Sequence, residues 1–188
     1  TIPETETYPD GVTLPFPSGS LIKSPSAPTV YLILDNGDKY GFHSAEEFFR
    51  FGYRFNLVDQ TTEEELSTHS TSPIQSLSYH ATGNLIKYPS SPTVYRMENG
   101  QKRGFPTPEI FFFYGDFSRI LTIDPSFQYP DGQVLTYPDG ALLKGTDPTV
   151  YLIVNGRKQA FTSAEEFLGD GYSFEMIKPA REEELLTF

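Results

Sequence analysis

The chain has 188 residues, of which 25 are Asp or Glu and 14 Lys or Arg, a formal net charge of −11; it carries 16 Phe, 12 Tyr, 16 Pro and 15 Gly but no Cys or Trp. So many aromatic rings can offset the entropy of ordering, which excludes disorder, and so many prolines exclude a long helical bundle. The acidity argues against nucleic acid and anionic membranes as partners, since both draw on clustered Lys and Arg.

Without Cys there is no disulfide or thiolate chemistry. The longest unbroken apolar runs, Ile110 to Tyr114 among them, are far below the ~20 residues a spanning helix needs. Thr1 in first position is expected of a processed, secreted chain or of a trimmed one. In chain order, residues 1–18 read as a connector or docking segment, marked by Tyr8-Pro9-Asp10-Gly11 and then Val12 and Leu14. From residue 19 the chain reads as three copies of one unit, 19–76, 77–132 and 133–188.

The unit opens with Gly19-Ser20-Leu21-Ile22-Lys23, which returns as Gly83-Asn84-Leu85-Ile86-Lys87 and Gly140-Ala141-Leu142-Leu143-Lys144. Then come Pro28-Thr29-Val30-Tyr31, Pro92-Thr93-Val94-Tyr95 and Pro148-Thr149-Val150-Tyr151. Val30 to Leu34 lacks any breaker and predicts a strand buried on both faces. Asn36-Gly37, Asn99-Gly100 and Asn155-Gly156 predict type I′ turns, because both residues tolerate positive φ. The offsets between units are 64 and 56 residues at the prolines, and 63 and 56 at the Asn-Gly pairs. Returning strands follow over 38–42, 101–105 and 157–161.

A short helix comes next. Ser44 with Glu47, and Ser163 with Glu166, fit a capping box, and Thr107-Pro108 offers a cap with Pro at the first helical position. Gly52, Gly115 and Gly171 stand where a helix ends in a left-handed residue. Phe48, Phe111 and Phe167 are placed to anchor the helices. The segments starting at Phe55, Phe117 and Phe174 predict short strands or extended edges. Glu63-Glu64-Glu65-Leu66 and Glu182-Glu183-Glu184-Leu185 predict solvated helical turns with one inward Leu.

Tyr129-Pro130-Asp131-Gly132 joins the second unit to the third, and Tyr8-Pro9-Asp10-Gly11 is a near copy that precedes the first. The amino-terminal segment therefore resembles a connector without a preceding unit, while Phe188 stands where a connector is due. Tyr8, Pro9, Asp10, Gly11, Val12 and Leu14 are expected to dock against Leu185 and Phe188 of a third unit. Docking within one chain closes a ring as in propellers; docking between molecules builds a filament. The sequence leaves both open.

The pattern G-x-L-[IL]-K, P-T-V-Y-L-I, N-G-x-K, S-A-E-E-F and G-Y resembles an uncharacterised tandem repeat of secreted and cell-surface bacterial proteins. That resemblance covers all three units and implies an extracellular, modular role without a transferable activity. The middle unit departs from it at Arg96-Met97 and Gly115-Asp116. A looser likeness is to choline- or glucan-binding repeats, which lean on Trp.

No nucleophile elbow, phosphate loop or dinucleotide fingerprint is present. His43, His69 and His80 lack metal-ligand spacing; His43 reads as a surface variant, and His69 and His80 as residues of a polar connector. Asp35 and Asp38 flank a hairpin and raise Ca²⁺ as an option, but the other units do not repeat them, so no cofactor is expected. Lys23, Lys87 and Lys144, and Lys39, Lys102 and Lys158, read as edge-strand lysines or as partners of nearby carboxylates. Tyr31, Tyr95 and Tyr151 suit a core or interface, or stacking on sugar rings. The expectation is a mainly β (α+β) protein of three hairpin–helix repeats in a compact or solenoid- or propeller-like array. Its expected role is that of a non-catalytic, extracellular structural protein that self-assembles into a filament or binds other surface proteins. A cell-wall or glycan-binding module is the alternative, and neither nucleic acid nor membrane insertion is expected.

Overall fold

A computed structural model describes residues 14–188. The first sheet comprises Leu21–Lys23 (β1), Tyr31–Ile33 (β2), Lys39–Gly41 (β3) and Val58–Gln60 (β4); helices Ala45–Arg50 (α1) and Glu63–Ser67 (α2) flank β4 in the chain. The second has Leu85–Lys87 (β5), Val94–Glu98 (β6), Gln101–Gly104 (β7) and Leu121–Thr122 (β8), with helix Pro108–Phe111 (α3). The third has Leu142–Lys144 (β9), Val150–Val154 (β10), Arg157–Ala160 (β11) and Lys178–Pro179 (β12), with helices Ala164–Gly169 (α4) and Glu182–Leu185 (α5).

All three sheets share one topology, with strand orders β3-β2-β1-β4, β7-β6-β5-β8 and β11-β10-β9-β12. The first three strands of each run antiparallel, whereas the fourth lies parallel to the first, Leu21 opposite Val58 in the first sheet. A parallel fourth strand needs a crossover, and the helix supplies it. The fold is therefore mixed α+β and strand-rich. It corrects the propeller-like expectation, because a propeller blade is an antiparallel meander and no sheet among the described residues closes on itself.

Local chemistry explains the elements. Asn99 (φ 50°) and Asn155 (φ 52°) join Gly100 and Gly156 at positive φ, as a type I′ turn requires, but Asn36 does not. Gly37 (φ 84°) donates to the Leu34 carbonyl, and the Leu34 amide to the Asp38 carbonyl. That is a three-residue loop with a glycine bulge, and it accounts for the extra residue between the first Pro-Thr-Val-Tyr and its Asn-Gly. Ser44, Thr107 and Ser163 cap α1, α3 and α4 as expected. The reciprocal bonds differ from a capping box: Glu47 and Glu166 accept the amides of His43 and Thr162, one residue earlier. The segments after these helices begin as 3₁₀ turns at Phe55–Leu57, Phe117–Arg119 and Phe174–Met176 before any strand starts, correcting the extended expectation. In the middle unit Asp116 caps that turn by accepting the Ser118 amide.

Gly52 is left-handed (φ 75°), and a Cβ there would lie 2.5 Å from the Thr122 carbonyl oxygen, so it combines a helix stop with a close approach. Gly115 is not left-handed. What excludes a side chain there is Leu85, whose Cδ1 would sit 2.7 Å from an added Cβ.

The chain divides into two compact units. One holds residues 14–105 and Gly115–Val134; the other holds Pro106–Tyr114 and Leu135–Phe188. In the first, a single cluster joins Leu32, Phe48, Phe51, Tyr53, Leu77, Ile86, Met97 and Leu121, drawing on both of its sheets. Beside it Ile22, Ile33 and Leu66 form a smaller cluster against Phe16 and Tyr31. In the second unit Leu142, Leu143, Ile153, Phe167 and Leu185 are buried, as are Ile110 and Phe111 of α3.

Candidate functional site

The recurrent polar residues converge on the outer strand of each sheet. In the first, the Lys39 amide donates to the Ser70 carbonyl (2.8 Å) and the Ser72 amide to the Lys39 carbonyl (2.9 Å). In the second, the Lys102 amide donates to Pro130 and the Gly132 amide to Lys102, both at 3.0 Å. Each connector thus runs parallel to the edge strand, with Thr71 opposite Lys39 and Asp131 opposite Lys102. Such pairing blunts an edge that would otherwise template association. Gly132 passes so close that a Cβ would meet the Arg103 Cγ at 2.8 Å.

The same lysines act a second time through their side chains. Lys39 Nζ donates to the carbonyls of Leu66 and His69, Lys102 Nζ to the Tyr129 carbonyl at 2.9 Å, and Lys158 Nζ to the Leu185 carbonyl. Leu66 and Leu185 belong to the last turns of α2 and α5, where a cation suits the helix dipole. Lys102 also pairs with a carboxylate, Asp131, at 2.5 Å. On β11, no segment among the described residues bridges Lys158 as Thr71 and Asp131 bridge its counterparts.

A ring contact accompanies each sheet. Phe16, His80 and Tyr137 stand three residues before Gly19, Gly83 and Gly140, and they meet His69, Tyr129 and Phe188 at centroid distances of 6.3, 5.8 and 6.4 Å. His69 and His80 lie in loop segments, as expected, but both are buried. His80 Nε2 lies 2.9 Å from the Phe51 carbonyl and must donate to it, which leaves Nδ1 to accept from the Tyr129 hydroxyl at 2.6 Å. Burial pushes the His80 pKa down to about 4, against the opposing pull of the Phe51 carbonyl. His69 donates through Nδ1 to the Gly37 carbonyl (2.7 Å), and its buried Nε2 has no partner among the described residues. Ser- and Thr-rich surroundings concealed both; the signal was their alignment with Tyr and Phe in the sister units.

The carboxylates are also spent on the scaffold. Asp35 accepts from the Ser18 hydroxyl and from the amide and hydroxyl of Thr82, all within 2.9 Å, and Asp38 accepts from Asn36. Among the described residues no group of three His, Asp or Glu is placed to hold a metal ion. Glu65 completes a capping box with Thr62. Glu184 corrects the solvated-turn expectation for the second acidic triplet: it is buried and accepts from Thr107 (2.8 Å), Tyr137 (2.8 Å) and the Arg181 amide (2.9 Å). Burial raises its pKa, but these donors outweigh that and hold it below the ordinary value. At Glu47 burial is likewise outweighed, by Tyr40 and the His43 amide.

Of the residues expected to self-associate, Tyr8, Pro9, Asp10, Gly11 and Val12 lie outside the described residues. Leu14 is exposed, Leu185 is buried and Phe188 is half-buried beside Tyr137. Tyr31, Tyr95 and Tyr151 are half-buried and lie opposite Gly41, Gly104 and Ala160 across the strand pairs. An aromatic ring covering a cross-strand glycine supports the sheet. Lys102 and Lys158 place their amines 5.6 Å from the Tyr95 and Tyr151 ring centres. The more exposed rings are others: Phe49, Phe55, Phe112, Phe117 and Phe174. Phe42, Phe48 and Phe55, with Thr29 and Ser44, line an open cleft of about 300 Å³.

No protein-family model matches the sequence, and no curated protein matches it. Among solved structures, one similar chain belongs to the periplasmic assembly from the ESX-5 inner membrane complex, at 9% identity and a TM-score of 0.24. The match covers 89% of this chain and spans 58% of that one. At that TM-score the likeness carries no argument about role. No helix among the described residues is long and apolar enough to cross a membrane.

Proposed function

We propose that this chain is a non-catalytic structural protein that works outside the cell, as a self-assembling subunit of a surface filament. One observation supports the reading above the others. Two sheet edges are each sealed by an added segment, the following connector, through the same pair of backbone bonds. A repeat array whose sheet edges take added segments in the same register is a natural building block for a polymer, because the same pairing can be made between molecules. The use of carboxylates and lysines as caps supports a scaffold role rather than a reactive one. Light scattering and electron microscopy of the pure protein across a wide range of concentration test it. Growth into large or fibrous species with concentration is expected; a single small species throughout refutes the proposal.

A glycan-binding module is the second reading, and the cleft at Phe42, Phe48 and Phe55 favours it, since an exposed ring beside hydroxyls suits a sugar face. Retention on a bacterial cell-wall glycan that is lost in Phe55→Ala would support that reading.

A further inference from the structure

We propose that Asn99 is the site at which this chain modifies itself: the Gly100 nitrogen attacks the Asn99 side-chain amide and deamidates it, while Asp139 restrains the same reaction at Asn155. The inference is independent of the self-assembly reading. Each repeat offers the same dipeptide, Asn36-Gly37, Asn99-Gly100 and Asn155-Gly156, and all three asparagines are exposed. Space does not tell them apart, because a Cβ on any of the three glycines would meet nothing within 4 Å. Hydrogen bonds do. The Gly37 amide donates to the Leu34 carbonyl at 2.9 Å. Both ends of the Asn36 side chain are held too, with Nδ2 donating to the Asp38 carboxylate at 2.7 Å and Oδ1 accepting the Asp38 amide at 3.1 Å. The Gly156 amide donates to the Asp139 carboxylate at 2.9 Å. In the second repeat Thr82 stands where Asp139 stands in the third, immediately before Gly83 and Gly140. Its hydroxyl takes the Asn99 amide instead, at 2.9 Å, and no acceptor for the Gly100 amide lies among the described residues.

The chemistry needs only solvent water. Once the Gly100 nitrogen gives up its proton to hydroxide, it bonds to Cγ of Asn99. The Cγ–Nδ2 bond then breaks, and ammonia leaves with a proton returned from water. The product is a five-membered cyclic imide. Water adds to either imide carbonyl and opens the ring, leaving aspartate at position 99 or isoaspartate, in which the backbone runs through the former side chain. Glycine favours the attack because it has no Cβ to crowd the nitrogen. The attacking form is the nitrogen anion, so whatever holds the N–H sets the rate. At Gly156 a carboxylate holds it, and removing that proton would set two negative charges face to face. At Gly37 a carbonyl holds it, and the target amide is tied down as well. The second turn carries neither restraint among the described residues.

The test keeps the full chain folded in mildly alkaline buffer and follows it over time by trypsin digestion and mass spectrometry. Cleavage after Lys39, Arg96, Lys102, Lys144 and Arg157 puts the three asparagines on separate peptides. The mass gained when a carboxamide becomes a carboxylic acid should appear at Asn99 about fivefold or more faster than at Asn36 or Asn155. Asp139→Ala frees the Gly156 amide and should speed the reaction at Asn155 by about fivefold or more. In that variant Asn99 should keep its wild-type rate, which shows that the fold is retained. In urea, where the turn bonds are gone, the three rates should draw together. Folded wild type that reacts as fast at Asn36 or Asn155 as at Asn99 overturns the proposal. So does an Asp139→Ala chain in which Asn155 stays slow. The wild-type comparison needs no variant, so it decides the question even if Asp139→Ala loosens the fold.

Discussion

Replacing His80 with Phe should remove a pH dependence that the fold builds in. His80 is fully buried, and burial pushes its pKa down to about 4. In an unfolded chain a histidine titrates near ~6.5. The folded pKa is the depressed one, so on acidification the unfolded state takes up the proton first. Stability present above ~6.5 is then lost progressively until about 4. A separation of about 2.5 units corresponds to about 3 kcal/mol in all, of which about 2 kcal/mol is gone by about pH 5. Glu47 and Glu184 have lowered pKa values, so they give up their stabilisation only below the ordinary carboxylate value of 4.5. The interval from about pH 8 to about pH 5 therefore isolates the histidine. Urea denaturation of wild type and His80→Phe, repeated across that interval, measures the effect. The variant starts less stable, because the Phe51 carbonyl and the Tyr129 hydroxyl lose their partner. The informative quantity is the slope: wild type should lose about 2 kcal/mol more than the variant on acidification to about pH 5. Parallel curves would refute the claim that His80 is held neutral by burial.

Three further outcomes follow from named contacts. Gly52→Ala and Gly37→Ala share the cost of a left-handed alanine, about 1 kcal/mol. Only Gly52 would drive a Cβ to 2.5 Å from a backbone oxygen, whereas Gly37 has open space. Denaturation should show Gly52→Ala worse by roughly 2 kcal/mol, and equal effects would contradict the close approach. Lys39→Met strips a donor from the Leu66 and His69 carbonyls. It should cost about 1–2 kcal/mol and speed amide exchange in α2. Glu184→Gln should cost about 1–2 kcal/mol at neutral pH. Because the carboxylate's folded pKa is the lowered one, that penalty must fade as pH drops through it, and a penalty independent of pH would deny the charge any role.

Much of this architecture was legible because local chemistry repeats. The hairpins at Asn99-Gly100 and Asn155-Gly156, the caps at Ser44, Thr107 and Ser163, and the anchors Phe48, Phe111 and Phe167 each follow from what a few adjacent residues allow. Even the first hairpin's different turn left a trace, in the one-residue mismatch between the proline and Asn-Gly offsets. The burial of His69 and His80 was not visible in their own neighbourhood, since their partners at Gly37, Phe51 and Tyr129 are 29 to 49 residues away. Glu184 looked like one of three equivalent acids for the same reason.

The amino-acid sequence alone established a threefold repeat and its turns, caps and helix anchors, because those depend on φ preferences and on donors within a few residues. The tertiary structure decided what each repeat does with its edge. Which strand runs parallel, which carbonyls the lysines hold and which connector lies along β3 and β7 depend on backbone groups brought together from tens of residues apart. The periodicity of side chains carries no record of those distances.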